Sequence, residues 1–249
     1  MKRLENKVAI ITGAANGMGY TMTETFIREG AKVYACDILP AVLDVWKDVE
    51  NVVPVILDVT NAGAVDAAVA KIAEENGKID ILCNVAGIND LMYPLLETTD
   101  EMWDRVVNID LKGPFYTSRA VVREMVKTGG GSIVNISSLA QYGGNHGASY
   151  ASAKHGLRGL TMHTAVYYLD KGVRCNAICP GGVSTDIETH SGGKYYMPGM
   201  ERAVAALGSV PIPYGKTQEI ADVALFLCSD EGARINGAII PVDGGAAAC

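Results

Sequence analysis

The sequence predicts an α/β fold: a doubly wound parallel sheet of about seven strands with helices on both faces. Three observations lead to this prediction. Short, mostly apolar runs rich in β-branched residues recur along the chain, helical stretches separate them, and a glycine-rich turn joins the first run to the first helical stretch. Runs that are apolar throughout are typical of strands buried on both faces, and alternation of strands with helices is typical of a parallel sheet.

Seven candidate strands carry this pattern. Glycine, aspartate or asparagine bounds most of them, as is typical of strand ends. The candidates span residues 7–12, 31–36, 52–57, 79–84, 132–137, 173–179 and 238–242. Most neighbouring candidates have room for a helix between them, so successive strands can run in the same direction.

Five helical stretches lie between these strands. They span residues 17–30, 61–77, 100–129, 149–172 and 217–230. Gly30, Gly77 and Gly172 fall at the ends of three of them, where glycine favours the left-handed conformation that closes a helix. Strand and helix positions therefore agree with one continuous alternating pattern.

Length and composition indicate a single domain over residues 1–249. Of the 249 residues, 49% are hydrophobic and 20% are charged, which is an ordinary globular balance. The alternating pattern has one interruption, at about 186–213, after the sixth strand. Open α/β sheets bind ligands beyond the carboxyl ends of their strands, so we expect this segment to be a substrate lid.

The net charge and the cysteine spacing limit the kinds of ligand and partner that the protein can bind. The formal net charge of −7 offers no basic surface for nucleic acid or anionic lipid. The first apolar run is too short for a signal peptide, and no run approaches the length of a membrane span. The six cysteines form no CxxC pair, so we expect reduced thiols and no metal site. We predict a cytoplasmic protein that binds small molecules and copies of itself, without nucleic acid or membrane.

The glycine-rich turn predicts a dinucleotide site. Gly13, Gly17 and Gly19 stand between the first strand and the first helix, where they allow a tight turn and a close approach of a pyrophosphate to the helix N-terminus. Asp37 ends the second strand, and its carboxylate can accept both hydroxyls of an adenosine ribose while repelling a 2′-phosphate. The glycine-rich turn also carries Asn16 rather than a Lys or Arg, whose positive charge would favour a 2′-phosphate. The cofactor predicted is NAD(H), on a Rossmann-like sheet.

Two further strand ends point into the same crevice. Asp58 follows the third strand and is placed to accept a hydrogen bond from an adenine amino group. After the fourth strand, Ala86 and Gly87 leave space for the ribose of the dinucleotide. The carboxyl ends of parallel strands share one edge of the sheet, so these residues line one cleft.

A tyrosine and a lysine predict the chemistry. Tyr150 and Lys154 lie four residues apart, on one face of a helix, and an ammonium near a phenol lowers the pKa of that phenol. A tyrosine tuned in this way can exchange a proton with an alcohol or a carbonyl. Ser137 and Ser138 end the fifth strand, where one hydroxyl can hold the same substrate oxygen.

Taken together, these motifs closely resemble those of the short-chain dehydrogenase/reductase family, in the same order and over essentially the whole chain. They are "TGAANGMG", Asp37, Asp58, "NVAG", Asn108, "SS", "YASAK", "PGGVSTD" and the final "VDGG". Val85 replaces the second asparagine of the family's usual "NNAG", and we expect little loss of function from it.

The resemblance implies a role for each matching residue. Tyr150 is the general acid and base, Lys154 lowers its pKa and binds the nicotinamide ribose, and Asn108 holds a water that relays the proton. Val183 and Thr185 match positions that grip the nicotinamide carboxamide. The family is usually tetrameric through its long helices, so a homotetramer is expected.

One assignment has two candidates. The family's usual spacing between serine and tyrosine favours Ser137, whereas the local sequence favours Ser138. We choose Ser138, because the strand end fixes the serine and the loop before Tyr150 can absorb a deletion of one residue; Ser137 is the alternative.

The predicted site therefore has two parts. The catalytic residues are Asn108, Ser138, Tyr150 and Lys154. The cofactor-binding residues are Gly13, Asn16, Gly17, Met18, Gly19, Asp37, Asp58, Val59, Asn84, Ala86, Gly87, Tyr150, Lys154, Val183 and Thr185. In alcohol oxidation, Tyr150 as phenolate takes the hydroxyl proton and Ser138 holds the oxygen while a hydride passes to NAD⁺.

Apolar and aromatic side chains near the cleft bear on the substrate. The lid contributes Tyr195, Tyr196, Met197, Pro198, Met200 and Leu207, and the loop after the fourth strand contributes Leu91, Met92, Tyr93 and Leu95. If they face the cleft, they form an apolar wall suited to a lipophilic alcohol or ketone, with a hydroxysteroid or bile acid as the first choice; the alternative is that they pack only against the protein. His146 and His190 stand on loops where they could touch substrate.

Other functions stay open. Competing substrates are polyols, small diols and 3-oxoacyl thioesters; the last would be favoured by a basic patch and NADPH, which neither the net charge nor Asp37 supports. A dinucleotide-sensing regulatory protein is the alternative from another class, but such a protein could dispense with Tyr150 and Lys154.

Overall fold

The computed structural model describes residues 2–185, 187–207 and 214–248, and this part of the chain contains seven strands and nine α-helices. The strands are β1 (Val8–Thr12), β2 (Lys32–Asp37), β3 (Val52–Ile56), β4 (Ile81–Asn84), β5 (Gly131–Ile136), β6 (Val173–Pro180) and β7 (Ile239–Val242). The helices are α1 (Gly17–Arg28), α2 (Ala41–Val45), α3 (Ala62–Asn76), α4 (Asp100–Val107), α5 (Gly113–Thr128), α6 (Ala148–Tyr167), α7 (Ile187–Ser191), α8 (Met197–Leu207) and α9 (Thr217–Cys228).

All seven strands form one parallel sheet in the order β3-β2-β1-β4-β5-β6-β7. The chain reverses its direction of winding between β3 and β4, which places a crevice between the carboxyl ends of β1 and β4. The predicted doubly wound α/β fold is confirmed, and each predicted strand is present with ends that differ by a few residues at most.

Two hydrophobic cores cover the two faces of the sheet. Alternate strand residues point to opposite faces, so Ile11 belongs to one core and Ile10 to the other. Helices α1, α2 and α9 supply the first core, through residues such as Phe26. Helices α3, α5 and α6 supply the second, through residues such as Met125. The prediction of helices on both faces is confirmed.

Local signals set the helix ends. Asn61 caps α3 by accepting the N–H of Ala64 through its side chain, and Gly77 ends that helix with a φ of 72°. Pro114 stands in the first turn of α5, where a missing N–H costs no helical hydrogen bond. These ends agree with the predicted stretches to within a few residues.

The long stretch predicted over 100–129 differs from the structure. It divides into α4 and α5, joined by a π-helical turn at Asn108–Lys112. A π-helical turn inserts an extra residue into the helical repeat, and such turns are frequent at functional sites. The turn carries Asn108 and Asp110, both of which lie near the cleft.

The predicted lid segment is only partly described. Helices α7 and α8 lie within it, whereas residues 186 and 208–213 are outside the described residues. No helix in the described ranges is both long enough and apolar enough to cross a membrane.

Candidate active site

The glycine turn closes tightly against the sheet. Gly13 and Gly17 have φ values of 68° and 54°, which disfavour other residues. A Cβ on Gly19 would lie only 2.0 Å from the carbonyl oxygen of Gly13. Asn16, at the start of α1, makes no side-chain capping hydrogen bond, so the first N–H groups of this helix remain available to an anion.

A cavity of about 440 Å³ lies over this turn, at the carboxyl edge of the sheet. Eleven of the fifteen predicted cofactor residues line it: Gly13, Asn16, Gly17, Met18, Gly19, Asp37, Asp58, Val59, Ala86, Gly87 and Thr185. Lys154 does not itself line the cavity, but its ammonium nitrogen lies close to the Gly87 backbone, 3.6 Å from where a Cβ on Gly87 would be. The lining residues end or follow five different strands and lie around one cavity; their binding of a cofactor stays a prediction.

Asp37 lies at the opposite end of the cavity and is 8% exposed. Its two carboxylate oxygens accept the N–H groups of Ala15 and Leu39, each at 2.9 Å. Every carboxylate oxygen has a further lone pair, so Asp37 can still accept hydroxyl donors from the cavity. The backbone bonds hold the carboxylate in place.

Asp58 and Thr12 fix two other loops of the cavity. Asp58 accepts the N–H and the hydroxyl of Thr60 on one oxygen, Oδ1, at 2.8 and 2.7 Å. The Thr12 hydroxyl oxygen accepts the N–H groups of Val85 and Ala86, which ties the end of β1 to the loop after β4. Thr12 was not among the predicted residues.

The Asn84 side chain is bonded within the protein, and the predicted cofactor contact of this residue stays a prediction. Its amide nitrogen donates to Ser118 and Asn135, and its amide oxygen accepts the Thr117 hydroxyl at 2.6 Å. Asn84 is buried, and these bonds connect β4 to β5 and α5. Its polar atoms therefore stabilise the sheet, because the alternation of strand residues points the side chain away from the cleft.

Val183 and Thr185 follow β6 and behave differently. Val183 forms a short parallel bridge with Gly215 and packs against the first hydrophobic core. Thr185 lines the cavity, and its methyl carbon would lie 3.5 Å from a Cβ on Gly17. Only Thr185 has its side chain placed for a ligand in the cavity.

Tyr150 and Lys154 lie in the first turns of α6 and are 8% and 4% exposed. The Lys154 ammonium nitrogen lies 5.4 Å from the centre of the Tyr150 ring and donates to the carbonyl oxygen of Ile136 at 3.1 Å. The helix and the end of β5 thus hold the predicted pair together in a site from which most water is excluded.

The pKa of Tyr150 departs from the sequence prediction. Burial raises the pKa of Tyr150, while the Lys154 ammonium and a hydrogen bond from Ser138 lower it; the net direction is upward. The predicted lowering by Lys154 is present, but the loss of water around the phenol outweighs it. The net effect of these groups therefore favours the protonated phenol.

The two candidate serines occupy different positions. Ser138 lies near the Tyr150 phenol and lowers its pKa, and it caps a short 3₁₀ turn by accepting the N–H of Ala140. Ser137 is buried, and its hydroxyl donates to the carbonyl oxygen of Lys154 at 3.4 Å. Of the two serines, Ser138, the first choice, is the one that acts on the tyrosine pKa; its catalytic role stays a prediction.

Asn108 lies at the start of the π-helical turn, half-buried, and its backbone carbonyl accepts the N–H of Gly113. The polar side chain that contacts Lys154 from this turn is that of Asp110. The water-holding role of Asn108 stays a prediction. Asp110 was missed, although a single acid between Ile109 and Leu111 is a visible signal of a special role.

Asp90 was also missed, and it positions the start of α6. One of its oxygens, Oδ2, accepts the Tyr150 N–H at 2.9 Å and the Ser149 hydroxyl at 3.0 Å. The His146 ring centre lies 6.4 Å from that of Tyr150. Burial lowers the pKa of His146, while Asp90 opposes this effect. His146 therefore lies beside Tyr150, and its contact with substrate stays a prediction.

The lid contacts the rest of the protein through polar groups. Arg105 of α4 donates to the carbonyl oxygens of Ser191 and His190, each at 3.1 Å. The His190 ring lies 2.9 Å from the Asn16 side-chain nitrogen, and the Ser191 hydroxyl accepts the N–H of Asn89. His190 thus contacts the glycine turn through Asn16. Arg105 was not predicted, because nothing local marks a helix arginine as a lid contact.

The predicted apolar wall is only partly a wall. Leu91 and Met92 are buried beneath the lid, and Tyr93 stacks on Tyr196 with ring centres 4.8 Å apart. These side chains pack against one another, so the alternative that they belong to the protein interior holds for them. Leu95 is 74% exposed. Burial raises the pKa of Tyr195 to about 12, with smaller contributions from Glu188 and Tyr150.

Comparisons with known proteins agree with this geometry. A family described as enoyl-(acyl carrier protein) reductase matches residues 13–247. The 3-oxoacyl-[acyl-carrier-protein] reductase FabG of Thermotoga maritima is 39% identical over 98% of both chains. The meso-2,3-butanediol dehydrogenase of Serratia marcescens is 36% identical over 99% of this chain and 96% of its own.

Two further similarities are to a hydroxysteroid dehydrogenase and to a solved structure. The 3beta-hydroxysteroid dehydrogenase 2 of Eggerthella lenta is 35% identical over 97% of this chain and 95% of its own. The crystal structure of levodione reductase superposes with a TM-score of 0.86 at 33% identity, covering 99% of this chain and 100% of that chain. The family match and the full-length relatives lead to one conclusion. The chain belongs to the short-chain dehydrogenase/reductase family of oxidoreductases.

Proposed function

We propose that the protein is an NAD(H)-dependent oxidoreductase that interconverts a secondary alcohol and a ketone, with Tyr150 as its general acid and base. One observation carries this proposal: a buried tyrosine, with Ser138 nearby and a buried lysine adjacent to it, lies beside a cavity that is lined by the glycine turn and Asp37. Proton exchange with a substrate oxygen needs such a tyrosine, held in place and shielded from water.

The cavity residues fit a dinucleotide. The uncapped start of α1 offers N–H groups to a pyrophosphate, and Gly17 leaves room for it beside Thr185. A nicotinamide dinucleotide bound there would supply the hydride acceptor or donor. Asp37, at the far end, favours ribose hydroxyls and repels a 2′-phosphate, which supports NAD(H) over NADP(H).

The chain's own residues divide the proton transfer among them. In alcohol oxidation, Tyr150 as phenolate takes the hydroxyl proton while Ser138 holds the substrate oxygen. Lys154 favours the phenolate through its charge, and a water held near Asn108 would pass the proton to solvent. In ketone reduction, the Tyr150 phenol returns the proton, so the same residues serve both directions.

For the substrate, we propose a lipophilic secondary alcohol, with a hydroxysteroid or bile acid as the leading class. Support comes from an exposed apolar rim beside the lid, where Leu95 and Leu96 are 74% and 95% exposed and Met197 lies on α8. The hydroxysteroid relative agrees with this class. The reductase and butanediol relatives support a 3-oxoacyl thioester or a small diol to a comparable degree, so these remain the alternatives.

Self-association is a separate proposal. Helix α6 exposes Val166 and Tyr167, and α5 exposes Phe115, so the long helices present apolar surface outward. We propose that these helices pair in a homotetramer, and sedimentation analysis tests it. A cytoplasmic location, with no nucleic-acid partner, likewise stays a prediction.

The experiment is an assay of reduced-nicotinamide absorbance with NAD⁺ and NADP⁺ in parallel. The panel contains bile acids, other hydroxysteroids, 2,3-butanediol, polyols and, in the reduction direction, a 3-oxoacyl thioester. Tyr150→Phe is the negative control, because it removes only the phenol hydroxyl.

The outcomes separate the candidates. Turnover confined to NAD⁺ and one steroid hydroxyl position supports the full proposal. Turnover of diols or thioesters alone would keep the reaction and overturn the steroid class, while a preference for NADP⁺ would overturn the role of Asp37. NADH binding without turnover of any compound would favour the dinucleotide-sensing regulatory protein.

A further inference from the structure

A buried ion pair lies directly behind the catalytic tyrosine. Asp110 Oδ2 and Lys154 Nζ are 3.1 Å apart, and their side chains are 0% and 5% exposed. Ion pairs this deeply buried are costly to form, because both charges lose their water. Nothing in the proposed proton transfer requires Asp110, so its presence at this position needs a separate reason.

The contacts of Asp110 point toward Lys154. Its Oδ1 accepts the N–H of Ile88 at 2.9 Å, which connects the π-helical turn to the loop after β4. Within the described part of the chain, Oδ2 has no hydrogen bond of good geometry, so the nearby ammonium is its main compensation. Lys154 in turn donates to the carbonyl oxygen of Ile136. Contacts with the end of β5 and with the π-helical turn therefore hold Lys154 in place.

Other ionisable groups face the same region. From the loop after β4 comes Asp90, from the loop before α6 His146, from β6 Cys179 and from the lid Tyr195. Among these groups, Asp110 is the one in ion-pair contact with Lys154. Its charge therefore acts most directly on the tyrosine and lysine.

We propose that Asp110 is a positioning residue that holds the Lys154 ammonium and offsets its charge. As a result, the pair formed by Tyr150 and Lys154 loses its first proton at a higher pH than it would if Asp110 were absent. This inference rests on the proposed function of Tyr150. Its consequence is directional, because Asp110 protects the phenol form, which ketone reduction requires, at the expense of the phenolate that alcohol oxidation requires.

Electrostatics gives the sign. Burial raises the pKa of Tyr150. The Lys154 ammonium lowers this pKa, and the Asp110 carboxylate raises it. The pKa of Lys154 is raised by Asp110 and Tyr150 against the effect of burial. Because the two groups titrate as a coupled pair, removing the carboxylate lowers the pH at which the first proton leaves, whichever group loses it.

The test compares Asp110→Asn with the unmodified enzyme. We measure kcat for alcohol oxidation against pH and, separately, the ultraviolet absorbance of tyrosinate. In Asp110→Asn both midpoints should move to lower pH by about one unit or more, the size expected for a charge at this distance. Asp80→Asn is the matched control, because Asp80 pairs with Lys78 at 2.9 Å at the amino edge of the sheet. Its midpoints should equal those of the unmodified enzyme.

Two more variants keep the test decisive. Asp110→Ser also removes the charge and takes less space, so it serves if Asp110→Asn does not fold; Asp110→Glu restores the charge and should restore the midpoint. NADH binding verifies that each variant is folded. Unchanged midpoints in folded Asp110→Asn or Asp110→Ser would overturn the inference. Retained turnover in Tyr150→Phe would instead overturn the proposed function, so the two failures are distinguishable.

Discussion

The carboxyl edge of the sheet and the lid meet at the same cleft but are held by different forces. At the sheet edge, polar side chains such as Asp37 and Asp90 are buried and accept two or more backbone or hydroxyl donors each. The lid helices α7 and α8 are largely exposed, and α7 is held by hydrogen bonds such as those from Arg105. We therefore expect the chemistry to depend on the buried region and substrate entry to depend on the exposed one.

The buried and the exposed region meet different physical requirements of an enzyme. Buried, fully bonded groups keep a fixed geometry, which proton transfer needs. Exposed elements with few contacts open at low free-energy cost, which substrate entry and product release need. Substitutions at the sheet edge should therefore change stability and kcat, whereas substitutions at the lid contacts should change KM.

The strongest test of the sheet edge is Gly19→Ala. Its new Cβ would lie 2.0 Å from the Gly13 carbonyl oxygen, and backbone on both sides cannot yield. We expect a loss of about 3 kcal/mol or more in the free energy of unfolding, with no measurable NADH binding. Denaturant unfolding and NADH fluorescence measure the two effects.

Gly159→Ala is the matched control. Gly159 lies inside α6, where a new methyl group would meet no neighbouring atom within 4 Å, so the same change should stabilise the protein by about 0.5–1 kcal/mol. Equal effects at the two glycines would contradict the assignment of a close backbone approach at Gly19.

A smaller effect is expected for Asp90→Ala. The substitution removes the acceptor of the Tyr150 N–H and of the Ser149 hydroxyl, so we expect a loss of about 2 kcal/mol in stability. Because the start of α6 would shift, kcat should fall by about tenfold to a hundredfold. Asp170→Asn, at an exposed acid beyond the same helix, should change neither quantity. An unchanged kcat in Asp90→Ala would contradict a positioning role.

The smallest effect is expected at the lid, for Arg105→Gln. It removes two hydrogen bonds to lid carbonyls, and KM for NAD⁺ should rise by about threefold to tenfold while kcat changes little. Stability should stay within about 0.5 kcal/mol of the unmodified protein. Arg123→Gln breaks an exposed pair with Asp66 and should leave KM unchanged. A loss of stability as large as that of Asp90→Ala would show that the lid is part of the core.

Much of the buried region could be predicted from sequence. The strands and the residues at their carboxyl ends follow from local patterns, and parallel strands bring those ends together whatever the detail of packing. That is why Gly13, Asp37 and Gly87 line one cavity. The Tyr150 and Lys154 pair follows from helical spacing, and the strand end that fixes Ser138 also fixes its contact with Tyr150.

The remainder depends on contacts between distant segments. Asn84 carries a polar side chain at a strand end, yet the sheet turns it toward α5, which no local pattern reveals. Asp110 acts through Lys154, 44 residues away, by way of a π-helical turn inside a stretch that reads as one helix. The net pKa of Tyr150 depends on burial, which spacing alone does not give.

In the proposed mechanism Tyr150 transfers the proton, whereas the cofactor site does not depend on the tyrosine hydroxyl. The most direct measurement is Tyr150→Phe, assayed for turnover with NAD⁺ and for NADH binding in the same preparation. We expect kcat to fall by about a thousandfold or more, with the Kd for NADH changed less than about threefold. Turnover near that of the unmodified enzyme would show that Tyr150 is not the general acid and base.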